Sequence, residues 1–244
     1  RVDRRQRQMC IRDRFKSDPN LDYVGPSPVE EVAFEPNDPR FPLQWGLKQF
    51  EDHDIDADGA WDTIKGDPNL AVAIADTGVD WQHPDLAANI WYNLAEKNGQ
   101  PGVDDDGNGY GGDDKGWDWV TGVTGVSGED LNTPDNDPMD FNGHGTHCAG
   151  IASAVTNNGE GVAGVGFNTK IMCLRVGWSG LSNGEEVGYI GMSFAASAMR
   201  YAADKGAVAI NCSWGSSNSG GLGSAFSYAL SKNVLVCAAA GNNN

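Results

Sequence analysis

The sequence predicts an α/β fold, with a doubly wound, mainly parallel sheet flanked by helices. Two observations lead to this prediction. Short apolar runs alternate along the chain with segments whose apolar residues recur every three or four positions, which is the order of strands and helices in βαβ units. The runs are also bounded by turn-forming residues, and glycine is abundant, with 33 in 244 residues.

Four apolar runs predict buried strands, at 71–75, 170–176, 207–211 and 234–239. Four segments predict helices, at 59–65, 146–155, 185–204 and 223–232. In the third of these helices the apolar residues lie at spacings of three and four, and a glycine follows its end. They are Val187, Ile190, Phe194, Ala198 and Tyr201, followed by Gly206. Asn142 is the expected N-cap of helix 146–155.

The first 35 residues do not share this pattern. Residues 1–16 are basic and contain the string Met9-Cys10-Ile11-Arg12-Asp13-Arg14, which resembles a translated sequencing adaptor. We interpret them as an artefact, with a genuine tail or a propeptide remnant as the alternative. Residues 17–35 are rich in Pro, Asp and Glu and are interpreted as an extended lead-in or propeptide remnant. Residues 36–244 are then expected to form the folded domain.

The charge and the apolar content of the sequence restrict the partners that the protein can bind. The formal net charge is −17, which argues against nucleic acid and is typical of an exported protein kept soluble and monomeric by self-repulsion. No stretch approaches the roughly 18 apolar residues that a membrane span needs. Four of the five cysteines lie in apolar runs and are expected to be buried thiols, with a disulfide between two of them left open.

Three polar motifs lie at the ends of predicted elements. Asp76 directly follows the first strand, in A-V-A-I-A-D-T-G-V-D, at the carboxyl end where α/β sheets carry their sites. His144 and His147 begin a helix, in F-N-G-H-G-T-H-C-A-G. Asn242 follows the last strand, in V-L-V-C-A-A-A-G-N.

Each motif alone has a simpler interpretation. Asp76 could cap the next element, or act in phosphotransfer, although that chemistry favours a second Asp where Gly78 stands. His144 and His147 could bind zinc, but zinc-binding helices place the two histidines four residues apart. Asn242 could belong to an Asn-rich turn.

Together, the three motifs resemble the subtilisin-like serine proteases, or subtilases, and are most similar to the thermitase-like branch. The order Asp, His, then Asn is that of the family. The strings H-P-D-L at 83–86 and P-N-D-P at 36–39 also fit the pattern, so the resemblance covers roughly residues 36–244. It implies a subtilisin-like sheet and a secreted serine endopeptidase.

The resemblance also implies residue roles. His144 would be the general base, Asp76 the carboxylate that orients it, and Asn242 the oxyanion donor. His147 would be a buried structural partner. Peptide or protein substrates would bind as an added strand, with the second edge of the cleft at 178–181. The implied substrate-binding residues are Ser213, Trp214 and Gly215 on one edge and Ala239, Ala240 and Gly241 in the wall of a pocket for a large apolar side chain.

Two calcium sites are expected. Residues 104–110 match the first seven positions of an EF-hand loop, with Lys115 where the bidentate Glu would stand. The candidate ligands in the 104–113 loop are Asp104, Asp106, Asn108, Tyr110 and Asp113. A solvated acidic loop is the alternative. The family resemblance implies another site, the first along the chain because it begins at Asp38, so that the 104–113 loop is the second site. Its candidate ligands are Asp38, Asp85, Val155, Asn158, Glu160 and Val162.

The family's nucleophile motif, Gly-Thr-Ser-Met-Ala, does not occur in the sequence. We therefore expect an incomplete catalytic domain, missing sheet at its C-terminus, that cannot cleave peptides by the triad mechanism and folds poorly alone. Two other classes stay open. One is a non-catalytic homologue that binds extended peptides, and the other is a calcium-binding structural module.

Overall fold

Five parallel strands form the central sheet, in the order β2-β3-β1-β6-β7. The strands are β1 (Ala71–Asp76), β2 (Gly116–Asp118), β3 (Lys170–Arg175), β6 (Ala209–Cys212) and β7 (Leu235–Ala238). An antiparallel hairpin, β4 (Gly177–Ser182) and β5 (Glu185–Ile190), extends from the end of β3. The computed structural model describes residues 34–51, 53–216 and 220–242, all in a unit that begins at Phe34. The segment 1–16 and most of 17–35 lie outside the described residues.

Among the residues that the structure describes, five α-helices accompany the sheet. They are α1 (Ala57–Thr63), α2 (Leu94–Lys97), α3 (His144–Ser153), α4 (Met192–Asp204) and α5 (Leu222–Ser231). Short 3-10 turns lie at Phe41–Leu43 and Ala87–Asn89. Within the described part of the chain, no helix has the length and apolar character needed to cross a bilayer.

The sheet is covered on both faces because its side chains alternate. Ala73 and Ala75 of β1 face one core, which also contains α4 and α5. Ile74, between them, faces the other core, where it packs with Ala149 of α3. The predicted doubly wound α/β class is therefore confirmed.

Two predicted boundaries are wrong. Residues 185–190 form strand β5, and helix α4 begins only at Met192. Val187 and Ile190 therefore belong to a hairpin, which the turn at Asn183-Gly184 closes with positive φ at both residues. Asn142 is not the cap of α3, since the helix starts at His144 and its N-cap is Gly143. Strand β2, which is only three residues long, was not predicted.

The cysteines follow the prediction in part. All four described cysteines are free thiols, and Cys173 and Cys212 are buried as expected. Cys237 is exposed, which contradicts the prediction, because it lies on the edge strand β7.

Candidate active site

The sheet brings the predicted site residues to one edge. Asp76 is the last residue of β1, Ser213 directly follows β6, and Ala239 directly follows β7. Parallel strands end on the same side of a sheet, and the strand order reverses at β1, with β3 and β2 on one side of it and the later strands β6 and β7 on the other. Such a switch point opens a crevice at the carboxyl ends of the strands.

Asp76 and His144 form the central contact. His144 Nδ1 lies 2.7 Å from Asp76 Oδ1, although the residues are 68 positions apart. The Asp76 side chain is fully buried, whereas that of His144 is 47% exposed. Burial raises the pKa of Asp76, and the hydrogen bonds from His144 and the Thr77 N–H only partly offset this effect. The carboxylate is thus a strong acceptor for a proton on Nδ1, which leaves Nε2 as the free ring nitrogen.

A second carboxylate, Asp140, supports this contact and was missed by the sequence analysis. Its Oδ1 accepts hydrogen bonds from the Thr77 hydroxyl and from the N–H groups of Asn142 and Gly143, each at 2.9 Å. Its Oδ2 accepts from the Thr146 N–H at 2.9 Å and the Thr146 hydroxyl at 2.6 Å. The available signal was an Asp shortly before a helix, a position where carboxylates accept from unpaired N–H groups.

The substrate-binding residues line one cleft. A cavity of about 660 Å³ is bounded by His144, Cys148 and most of the predicted set, namely Ser213, Trp214, Gly215, Ala239, Gly241 and Asn242. Ala240 is exposed beside it. Because Asn242 and His144 both line this cavity, they lie on the same cleft. Trp214 is fixed to the sheet, because its indole N–H donates to the Ala75 carbonyl at 2.7 Å.

A buried ion-pair network supports the second edge. Arg175, which is 1% exposed, binds Asp118 and Glu129. Glu129 in turn accepts the backbone N–H of Ser179 in β4 at 3.0 Å. The Ser179 hydroxyl accepts from the Asn142 amide, also at 3.0 Å, just before His144. The hairpin is therefore tied to the segment that carries the imidazole.

His147 does not have its predicted place. It is exposed and lines a different cavity, of about 880 Å³, where Trp45 and Ile151 also lie. The prediction of a buried partner is wrong, because the part of α3 that carries His147 borders this cavity and is not covered by the core. Cys148, one turn after His144, lies beside the pair, with its Sγ 3.9 Å from His144 Nδ1.

The comparisons with known proteins identify the family of this chain. Residues 67–244 match the model of the subtilase family, Peptidase_S8, over more than half of the chain.

The chain belongs to the subtilase family.

Its relatives include a thermophilic serine proteinase of Bacillus sp. strain AK1, 35% identical over 230 residues, which are 94% of this chain and 46% of the relative. Thermitase of Thermoactinomyces vulgaris is 36% identical over 217 residues, 86% of this chain and 58% of the relative. A solved protease of Pseudoalteromonas arctica shares 30% identity with a TM-score of 0.62, over 85% of this chain and 59% of that chain. The chain thus spans about half the length of the curated relatives it matches, and the predicted resemblance is confirmed.

The first predicted metal site of this subtilase is assembled around Asn158. Its backbone N–H lies 3.5 Å from Asp38 Oδ1, and its amide Nδ2 donates to Asp85 Oδ1 at 2.8 Å. Asp38 and Asp85 are 2% and 3% exposed. Val162 donates its N–H to Asp85, and Val155 donates to the Asp85 carbonyl. The N–H of Glu160, the remaining candidate, donates to Asn158 Oδ1. No ion pair to either carboxylate occurs within the described residues, so these oxygens fit a hard cation.

The second predicted metal site differs from its prediction. Asp104 accepts the N–H groups of Gly107, Asn108 and Gly109 and closes the turn itself. Three other carboxylates, of Glu96, Asp106 and Asp113, have oxygens within 4.8 Å of one another. Glu96 was not predicted.

Lys205 supplies positive charge to that second site. Its Nζ contacts Asp106 and lies 3.8 Å from Asp113. Burial raises the pKa of Asp106, but the bonds from Lys205 and Asn93 outweigh it and hold the pKa below its usual value. Asn108 donates to Asp113, and the Tyr110 ring packs on Trp117, Trp119 and Tyr201. The carboxylates are thus partly neutralised by the protein itself.

Gly145 allows α3 to approach β1 closely enough for the contact between Asp76 and His144. A Cβ at position 145 would lie 2.0 Å from the Gly78 carbonyl oxygen and 3.1 Å from Asp76 Cβ, so Gly145→Ala must push the helix away. We expect a loss of roughly 1–3 kcal/mol in the free energy of unfolding, measured with denaturant.

Gly150→Ala is the matched control, because it lies on the same helix with no atom within 4 Å of its added Cβ. It should stabilise the protein by roughly 0.5–1 kcal/mol through helix propensity. Equal effects of the two substitutions would contradict the close approach described here.

Proposed function

We propose that this chain carries the acid–base part of a serine endopeptidase site that hydrolyses peptide bonds with an Asp-His-Ser triad. The observation that supports this most strongly is the 2.7 Å contact between buried Asp76 and His144, an imidazole open to the cleft. Membership of the subtilase family and the protease names of its relatives support the same class.

In the proposed mechanism His144 acts through Nε2. Asp76 holds the Nδ1 proton, so Nε2 keeps its lone pair and can take the proton of a serine hydroxyl as that oxygen attacks the peptide carbonyl. The imidazolium that forms is stabilised by the buried carboxylate and later returns its proton to the leaving amine. Asn242, on the same cleft, would donate its side-chain N–H to the oxyanion.

The nucleophile is the part that this sequence does not supply. Gly-Thr-Ser-Met-Ala is absent from the 244 residues, and Ser213, which shares the cleft with His144, accepts a hydrogen bond from Asn211 instead. We propose that the serine lies outside this sequence, and that residues 1–244 bind peptides without cleaving them.

Substrates would be extended peptides or proteins. The peptide would pair as an added strand with the segment Ser213-Trp214-Gly215. This segment is held in place by the hydrogen bond from the Trp214 indole to β1. Ala239, Ala240 and Gly241 carry small or no side chains, which leaves room for a large apolar residue before the scissile bond. We also propose an exported, monomeric protein that binds neither nucleic acid nor membrane, in keeping with the net charge of −17.

A peptide chloromethyl ketone ending in Phe tests the role of His144. The Nε2 lone pair should displace chloride and form a C–N bond, and peptide mapping by mass spectrometry should place the adduct on His144. The other three histidines are internal controls, since His53, His83 and His147 are all exposed.

We expect Asp76→Asn to slow this labelling by about 100-fold, since the imidazole loses its orienting carboxylate. Equal labelling of all four histidines would contradict the proposed endopeptidase site.

We further propose calcium at both acidic sites. At the first, Asp38, Asp85 and Asn158 would supply side-chain oxygens, and Val155, Glu160 and Val162 backbone carbonyls, so the ion would fix the loop after α3 to the N-terminal segment. At the second site calcium would have to compete with Lys205 for Asp106 and Asp113. A calcium-binding structural module is the second candidate function, and these buried carboxylates are the observation that favours it.

Thermal unfolding with calcium and with a chelator tests this proposal. At a calcium concentration 100 times Kd, binding should add about 2.7 kcal/mol, or roughly 5–10 °C in Tm. In the Asp85→Asn variant, most of the difference in Tm between calcium and chelator should disappear. Asp106→Asn, at the site that Lys205 already neutralises, should lose little. A Tm that does not respond to the chelator would contradict calcium at both sites.

A further inference from the structure

Asp140 joins the two segments that carry Asp76 and His144. Thr77, directly after Asp76, donates its hydroxyl to Asp140 Oδ1, while Thr146, two residues after His144, donates both its N–H and its hydroxyl to Oδ2. One carboxylate therefore accepts from the end of strand β1 and from the first turn of helix α3.

The two threonine hydroxyls extend this link in opposite directions. While its proton points to Asp140, the Thr77 oxygen accepts the N–H of Gly145, at 2.9 Å. The Thr146 oxygen likewise accepts the N–H of Asp80, also at 2.9 Å. Each hydroxyl donates its proton to Asp140 and accepts from the opposite segment through a lone pair. The carboxylate thus orients the two hydroxyls that bridge the strand end and the helix.

Five donors meet the two oxygens of Asp140, which therefore must carry no donor of its own. An ionised Asp has no proton and about four lone-pair sites, so these donors fill its acceptor capacity. An Asn would present an NH₂ group to at least two of these donors, and a Glu would place its carboxylate more than 1 Å further from the backbone.

We propose that Asp140 is a positioning residue that holds the His144 imidazole against Asp76 and so fixes the proton on Nδ1. This inference deepens the proposed function, on which it rests for its catalytic meaning. The bond between Asp140 and the Gly143 N–H sets the start of α3, and the Thr77 bond sets the register between this helix start and the carboxylate of Asp76. Without Asp140 the helix can keep its own hydrogen bonds while His144 moves relative to Asp76.

A purely structural role predicts a different result. If Asp140 were only a helix cap, its loss would lower stability and leave the imidazole tautomer unchanged in the molecules that remain folded. A positioning role predicts that the tautomer changes in the folded state.

The experiment is ¹⁵N NMR of the histidine-labelled chain at a pH where the imidazole is neutral. In the unsubstituted protein we expect His144 to carry its proton on Nδ1. In Asp140→Asn we expect the two ring nitrogens to move toward averaged shifts, as both tautomers become populated. Asp140→Glu keeps the charge but should give the same loss, which separates geometry from electrostatics. Asp137→Asn, which removes a charge from the same loop and affects only the Trp81 indole bond, is the control and should leave the spectrum unchanged.

Thr77→Val keeps the inference testable if the Asp140 variants do not fold, because it removes one hydroxyl at nearly constant volume. It should shift the His144 tautomer in the same direction by a smaller amount. An unshifted His144 spectrum in folded Asp140→Asn, or in folded Thr77→Val if the former does not fold, would overturn the proposal.

The rate of alkylation by the chloromethyl ketone connects this result to function. Asp140→Asn should lower the maximal rate of His144 labelling about 10- to 100-fold with unchanged reagent affinity. If the unsubstituted chain is not labelled at His144, the proposed function fails, while the NMR comparison still decides whether Asp140 positions the imidazole.

Discussion

The hydrogen bond between Asp76 and His144 is the contact on which the candidate site depends. It joins a fully buried carboxylate at the end of the central strand to an imidazole at the start of a helix. A buried carboxylate without a partner is costly, and one of its oxygens, Oδ2, has no hydrogen-bond partner in the described structure. The remaining oxygen, Oδ1, must therefore keep its donors, which are the His144 ring and the Thr77 N–H.

The rest of the fold serves this contact in two ways. Helix α3 reaches β1 because its second residue is glycine, and the carbonyl of Gly78 occupies the space that a side chain would need. The cleft then forms beside the pair, because β6 and β7 end at the same edge as β1 and continue into Ser213 and Ala239. Sheet order thus places the imidazole, the proposed oxyanion donor and the proposed substrate edge together.

Much of this could be predicted from the sequence. The apolar runs identified four of the five strands of the central sheet, because a strand buried on both faces leaves an uninterrupted apolar signal. The ordered motifs identified Asp76, His144 and Asn242, which the structure brings to one edge. Strand β5 was missed because Val187 and Ile190 fit helical spacing, and only pairing with β4 decides between the two periods.

Side-chain partnerships over long separations could not be predicted. Lys205 meets Asp106 across 99 positions, and Asp140 meets Thr77 across 63, so neither leaves a local pattern. The expected burial of His147 failed for a related reason. The sequence shows that two histidines share a helix, but which helical face meets the core is set by what packs there.

A double-mutant cycle between Asp76 and His144 measures the central contact most directly. The free energies of unfolding of the unsubstituted chain, Asp76→Asn, His144→Gln and the double variant would be compared at a pH where the imidazole is neutral. A hydrogen bond to a buried carboxylate should give a coupling energy of roughly 1.5–3 kcal/mol. Additive effects, with a coupling energy near zero, would show that the two side chains do not interact and would contradict the site described here.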